Sequence, residues 1–556
     1  IPDLIDHLET EDAEEIAAVR EALLGFPAAE VVPAAVEALE KGPPLSRAAL
    51  IEVLAEKKAR DAADNVLALS ESDEPPVRRA ALAALADVCG PKHLPQLIKR
   101  LLDATDPGEV RLLQDAVAGA ANQIPEAEER ARRLLDTMAS LQGEKKILLL
   151  RPLPRIGGSQ ALETVVRETQ SEVPRVRAVA VSVLSQWPDF EAAGHLLSIF
   201  RSAEEAKLFY PAVLGYVRLV AESGLDEQEK LARYRELLDT REESEARRPV
   251  FSGIARLATE AAFRLAVSYL DEPDLRSAAA EAAGRILINN EDIRDRLPRS
   301  EFRDIVHKSA GAVADETLRQ RLDALLRDIL LEEGFVPLFN GRNLEGWKGL
   351  VADPVRRARM SPEELAEAQA VADRRMRDHW KVVDGVLVFD GKGDNLCTVQ
   401  DFGDFELLLD WKIEPGGDSG VYLRGAPQVQ IWDPAQWPEG SGGLYNNTTG
   451  PSSPLQRADH PVGTWNTFRI KMIGDRVTVH LNGILVVDNV VMENYWERDK
   501  PIYPVGPIEL QAHNTPLYFR NIYIREIPRE NEKANPARSV CLSQDRSDSR
   551  RPEEGE

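Results

Sequence analysis

Cysteine is scarce in this 556-residue chain. Cys89, Cys397 and Cys541 are too few and too far apart for a disulfide framework or a thiolate zinc site. Long hydrophobic runs are missing as well. Runs such as Ile147–Leu150, which ends at Arg151, fall far short of the ~20 apolar residues that cross a bilayer, so no membrane span is expected. Basic charge is in the minority. With 69 Lys and Arg against 93 Asp and Glu, the net charge of -24 repels phosphate polymers and argues against nucleic-acid partners. The three cysteines leave the redox compartment undecided, and at Ile1 no basic stretch is followed by an apolar core, as expected either without a signal peptide or for a processed or trimmed form. What remains is a folded, globular composition, 43% hydrophobic and 29% charged, long enough for roughly two to four domains.

Tryptophan divides the chain. Of eight, only Trp187 precedes residue 335. The first part is rich in Ala, Leu and Glu, which favour helix, whereas the last part is rich in Gly, aromatics, Val and Ile, which favour turns and strands. The first part also repeats. Pro, one residue, an aliphatic, usually Arg, then small residues recur as Pro75–Ala81, Pro174–Ala180 and Pro273–Ala279, with weaker copies at Pro43–Ala49 and Pro107–Leu113. The aliphatic positions Leu45, Val77, Val110, Val176 and Leu275 are separated by one, one, two and three units of about 33 residues, which predicts stacked helix–turn–helix units. Pro suits a first helical turn, and small Ala residues let neighbouring helices approach. Residues 1–330 resemble HEAT-type repeats, with the extended surface of a protein-interaction solenoid. Acidic runs such as Glu11–Glu15 read as solvated helix starts, and His7, His93, His195 and His307 share no evident face.

From Trp380 onward, period-2 segments alternate with Gly, Pro and Asn turns. Nine strands are predicted: Trp380–Phe389, Phe405–Ile413, Gly420–Arg424, Gln428–Asp433, Thr467–Met472, Arg476–Leu481, Ile484–Val487, Pro507–Gln511 and Leu517–Glu526. Asn482-Gly483 marks a two-residue hairpin turn. The expectation is a β-sandwich or jelly roll over 335–527. A helical insertion at 361–377 opens on the capping box Ser361-Pro362-Glu363-Glu364 and is expected to lie over a face or edge. A polar tail at 528–556 reads as disordered.

No nucleophile or metal motif stands out, and the Gly-rich stretches Gly391–Asn395 and Gly440–Gly443 bridge no strand to a helix as a phosphate loop would. A polar constellation does stand out. Side chains alternate faces along a strand, so Gln428, Gln430 and Trp432 share one face, as do Glu509, Gln511 and His513, and Tyr422 with Arg424. Aromatic rings cover the apolar faces of sugars, while amides, carboxylates and guanidinium bond to hydroxyls. The competing reading is the solvated outer face of an ordinary sheet.

Phe335–Trp347, Trp380–Gly385, Phe405–Arg424, Gln428–Asp433, Gly442–Tyr445, Gly463–Asn466, Val479–Val487 and Ile508–Ile524 together are similar to the 3-keto-disaccharide hydrolase domain family. The resemblance implies a concanavalin- or laminarinase-like jelly roll, action on 3-keto-glycosides, and an exported bacterial protein, periplasmic or extracellular. A C3 ketone acidifies the C2 proton, so a base can drive elimination of the glycosidic oxygen, after which water adds. On this reading His513 is the general base or acid, Glu509 the second catalytic carboxylate and Arg424 the oxyanion stabiliser. Gln428, Gln430, Gln511, Trp432, Tyr422, Asp433 and Asp418 bind substrate, with Asp418 and Ser419 alternatively turn formers. No cofactor is required, although a divalent metal is compatible with these donors. Many relatives carry Glu at the position of Gln428, and an amide cannot act as a base. The chain is therefore either a carbohydrate binder or an enzyme in which His513 and Glu509 take over.

Overall fold

The computed structural model describes residues 1–528, so the expected tail lies, apart from Pro528, outside the described residues. The chain divides into two units, Ile1–Arg296 with Ala312–Leu318, and Leu297–Gly311 with Arg319 onward. Among the described residues no helix is long and apolar enough to cross a membrane.

The first unit is an α-solenoid. Helices beginning at Pro44, Pro75, Pro107, Gly143, Pro174, Ala206, Ser244 and Arg276 stack in order, each against a helix that precedes it in the chain. Pro44, Pro75, Pro107 and Pro174 occupy first helical turns, where a missing N–H costs nothing. The Pro273 copy differs. There the helix starts at Arg276, with Leu275 as N-cap. Val77, Val176 and Leu275 are buried, whereas Leu45 of a weak copy is 44% exposed. Small residues set the helix spacing, since a Cβ on Gly119 would lie 2.3 Å from the Ala86 carbonyl oxygen.

The recurring arginine has a structural role. Arg47 donates to the Leu39 carbonyl at 2.8 Å and to Glu74 at 2.5 Å. Arg78 donates to the Ser72 carbonyl at 2.7 Å and to Glu109 at 3.3 Å. Arg177 donates to the Ser171 carbonyl at 3.0 Å and pairs with Glu205. Each caps a loop carbonyl behind its helix and reaches a glutamate at the start of the next stacked helix.

The second unit is a β-sandwich of two antiparallel sheets. One, the back sheet, runs in the order Ile484–Val491, Arg476–Leu481, Asn466–Ile473, Phe405–Ile413, Leu517–Glu526, Val386–Phe389 and Trp380–Val383, with Val336–Pro337 beside Leu517–Glu526. The other, the front sheet, runs Trp347–Gly349, Leu396–Thr398, Glu509–Leu510, Asp418–Leu423 and Ala426–Trp432. Leu407, Leu409, Trp411, Phe468 and Ile470 meet Val421, Val429, Ile431 and Leu510 in the core between them. The predicted strand at Trp380–Phe389 is a hairpin, because Asp384 and Gly385 turn through positive φ. Asn482 and Gly483, at φ 54° and 81°, make the expected turn. Three short strands, at 336–337, 347–349 and 396–398, carry too little alternation to be read from sequence.

Helices Arg299–Ala312 and Glu316–Glu332 lie ahead of the first strand, and most of both belongs to this unit. His307 Nε2 sits 2.7 Å from Asp410 on the outward face of the back sheet, where Asp410 also accepts from Thr467, Arg520 and Asn521.

The insertion forms a helix, Pro362–His379, with the capping box made reciprocally by Ser361 and Glu364. It lies along the edge strand Trp347–Gly349. Asp373 accepts the Gly349 N–H at 3.0 Å and Gln369 donates to the Gly349 carbonyl at 2.8 Å, so side chains satisfy the edge.

Candidate functional site

The register of the front sheet assembles the site. Asp418 lies opposite Trp432, Gly420 opposite Gln430, and Tyr422 between Gln428 on one neighbour and Glu509 on the other. All six side chains share one face, because Val421, Leu423, Val429, Ile431, Ile508 and Leu510 fill the core behind them. Gly420 keeps the centre open, since a Cβ there would lie 2.8 Å from the Gln428 side chain. Beyond Leu510 the chain stays alongside. Gln511 donates its N–H to the Gly420 carbonyl, and the Ser419 hydroxyl donates to the Gln511 carbonyl, which brings His513 to the same end as Asp418.

A hydrogen-bond chain runs across this face. Gln428 Nε2 donates to Gln430 Oε1, and Gln430 Nε2 donates to Asp418 Oδ1 at 2.8 Å. Trp432 Nε1 donates to the same oxygen at 3.1 Å, and His513 Nδ1 stands 3.7 Å from Asp418 Oδ2. Burial pushes the Asp418 pKa up against the opposing pull of His513 and the two donors. Glu509 is 3% exposed. Burial pushes its carboxyl up to about 7, and Arg357, whose Nη2 is 3.9 Å away, offsets only part of this. The Tyr422 hydroxyl is raised as well, first by burial and then by the charge of Glu509. Three buried oxygens on or beside this face, Gln428 Oε1, Glu509 Oε1 and Gln511 Oε1, have no hydrogen-bond partner among the described residues. Orphans of this kind each cost about 1–3 kcal/mol unless something donates to them.

Two expected site residues point elsewhere. Arg424 follows an irregularity in the strand pairing and sits at φ 58°, which turns its side chain away from Tyr422 into the body of the unit. Its guanidinium donates to the Gly403 carbonyl at 2.7 Å, the Gly474 carbonyl at 2.8 Å and Asp404 at 2.6 Å, so it braces loops rather than facing an oxyanion. Asp433 is also spent on backbone, accepting from the N–H groups of Gly416 and Ala435, and is a turn former rather than a substrate ligand. Ser419 is buried behind the sheet face, while Asp418 belongs to the site.

Three further residues frame the face. The Trp432 ring stacks on Trp437 at 5.4 Å and meets Tyr445 edge-on at 6.4 Å. Tyr445 is fixed because its segment pairs with the outer strand, with Gln430 N–H donating to Gly443 and Tyr445 N–H to Gln428. Arg357 arrives on the short helix Pro354–Arg357, capped by Asp353. The only sequence signal for it is that Asp-Pro start. Among the described residues no group of three or more His, Cys, Asp or Glu side chains is gathered to hold a metal ion.

Comparison with known proteins agrees with the two-part architecture. Residues 334–525 match the model of the 3-keto-alpha-glucoside-1,2-lyase-like domain, and residues 32–118 that of HEAT repeats. A 3-keto-disaccharide hydrolase of Bacteroides thetaiotaomicron is 22% identical over 275 residues, 39% of this chain and 84% of the relative. A candidate glycosyl hydrolase of known structure from Parabacteroides distasonis is 22% identical, covering 36% of this chain and 96% of that one with a TM-score of 0.28. The carbohydrate-binding module CBM66 of Bacillus subtilis is 13% identical, covering 33% and 98% with a TM-score of 0.19. Over residues 334–525 the C-terminal unit is thus similar to the 3-keto-alpha-glucoside-1,2-lyase-like domain, and over residues 32–118 the N-terminal unit is similar to HEAT repeats.

Proposed function

We propose that the front-sheet face of the sandwich cleaves glycosides whose sugar carries a ketone at C3. The observation that carries this reading is the set of unpartnered oxygens, Gln428 Oε1, Glu509 Oε1 and Gln511 Oε1, set beside a stacked tryptophan pair. Sugar hydroxyls are the donors that the two amide oxygens lack, a glycosidic oxygen is the acceptor that a protonated Glu509 lacks, and Trp432 offers a ring face to a pyranose.

In the reaction, His513, next to Asp418, takes the C2 proton. The C2–H electron pair forms the C2=C3 bond of an enolate, and negative charge moves to the C3 oxygen, which accepts a hydrogen bond from the protonated Tyr422 hydroxyl. When the C3 carbonyl re-forms, a C1=C2 double bond appears and the C1–O bond breaks. The departing oxygen takes the Glu509 proton. Water then adds its hydroxyl to C1 and a proton to C2, which yields the free 3-keto sugar. The solenoid serves as an interaction scaffold in an exported protein.

The neutral amide at Gln428 favours a second reading, a carbohydrate-binding module without turnover. Incubating the full chain with a 3-keto-disaccharide separates the two. Release of a 3-keto monosaccharide, abolished in His513→Ala, is the expected result. Saturable binding without release supports the binding module, and neither binding nor release rejects both.

A further inference from the structure

We infer that Arg357, carried by the inserted segment, is a further catalytic residue that steadies the departing glycosidic oxygen. This rests on the cleavage reading above. Elimination places growing negative charge on the leaving oxygen, and a site with so little solvent needs a cation or donor there. Arg424, the cation expected from the strand pattern, is bound to Asp404 and to backbone carbonyls. Arg357 is placed differently. Its Nη1 donates to the Val351 and Ala352 carbonyls at 3.0 and 2.7 Å, which fixes the plane of the guanidinium. Its Nη2 faces Glu509 Oε1 across 3.9 Å, too far for a direct hydrogen bond.

An oxygen atom set to one side of that line can bridge the pair. An acceptor about 2.8 Å from each group would take a hydrogen bond from Arg357 and the proton of Glu509 together. The backbone keeps the gap clear. Gly425, at φ 66°, stands over it, and a Cβ there would lie 3.2 Å from Glu509 Oε1 and 3.7 Å from Arg357 Nη2. Among the described residues Glu509 Oε1 has no hydrogen-bond partner, as a group awaiting a substrate oxygen would. The proton still comes from Glu509, and Arg357 contributes only charge and a hydrogen bond, so no bond to it forms or breaks.

The test uses leaving groups that differ in their need for help. A sugar alkoxide is a poor leaving group, whereas a 4-nitrophenoxide departs without a proton or a cation. Full-length wild type, Arg357→Met, Arg357→Lys and, as a control on the neighbouring exposed arginine, Arg356→Met are assayed on a 3-keto-disaccharide and on 4-nitrophenyl 3-keto-glucoside, with thermal unfolding of each. In Arg357→Met, kcat on the disaccharide is expected to fall ~100-fold while the nitrophenyl substrate loses less than about threefold. Arg357→Lys recovers part of the loss, and Arg356→Met stays at wild type. An equal fall on both substrates, or no fall on either, overturns the role of Arg357 while the cleavage reading stands. A wild type that releases product from neither substrate overturns both.

Discussion

Glu509 shows how one buried side chain couples stability to chemistry. Burial raises its pKa to about 7, so the folded state binds a proton that the unfolded chain has released above about 4.3. A raised carboxyl pKa costs stability as pH rises from the unfolded value toward the folded one. Glu509→Gln removes that cost and is expected to be more stable than wild type at pH 8, by at most roughly 4 kcal/mol, with the difference nearly gone at pH 4; denaturant titration at the two pH values checks it. On the proposed mechanism the same variant loses the acid, so turnover of a 3-keto-disaccharide is expected to fall at least ~100-fold. Wild-type turnover should itself decline as pH rises through about 7, where Glu509 loses its proton. The shared face of Gln428, Gln430, Trp432 and Glu509 was legible because strands alternate without exception over those few residues. Arg424 was not, because one left-handed residue after a pairing irregularity reverses where a side chain points. Arg357 lies in a segment with no periodicity to read.

At the scale of elements, the repeating arginine and the helix Arg299–Ala312 carry the clearest expectations. Arg78 caps a carbonyl and reaches a partly exposed glutamate that contributes little, so Arg78→Ala should cost about 1 kcal/mol, measured by urea unfolding. Adding Arg177→Ala, several units away, should double it, because distant sites add. His307 behaves differently. Burial alone would lower its pKa, but the charge and hydrogen bond of Asp410 outweigh this and hold it above the ordinary imidazole value. A raised folded value means that the pair contributes fully below about pH 6.5 and fades as pH rises through the folded pKa. His307→Gln should therefore cost roughly 3 kcal/mol at pH 6, and the decline in melting temperature between pH 6 and pH 9 expected of wild type should be flatter in the variant, by calorimetry. Helical periodicity announced these helices but could not say which unit they join, since an amphipathic face looks the same whether it meets a helix or a sheet. What decides it is Asp410, an acidic residue in the middle of a strand, and no sequence rule pairs that with a histidine 103 residues away.

For the whole molecule, the partition follows from that placement. Residues 297–311 and 319–332 belong with the sandwich, and the first of them brings His307 onto Asp410 of the back sheet. A fragment beginning at 297 should unfold cooperatively, whereas one beginning at 335 leaves Asp410 without His307 and should melt at least about 10 °C lower, by calorimetry. The change of architecture along the chain was legible from tryptophan and alanine usage alone, because a solenoid needs small residues at helix crossings and a sandwich needs bulky ones between its sheets.

The two outer borders of the front sheet have a consequence of their own. On one border, Asp373 and Gln369 occupy the peptide groups of Gly349, and on the other, Gly442, Gly443 and Tyr445 bond to Gln428 and Gln430. Neither rim of this sheet offers a ready template for an added strand, so copies of the sandwich cannot join front sheet to front sheet along these borders. An open sheet thereby gains the insulation that a barrel gets from closing on itself.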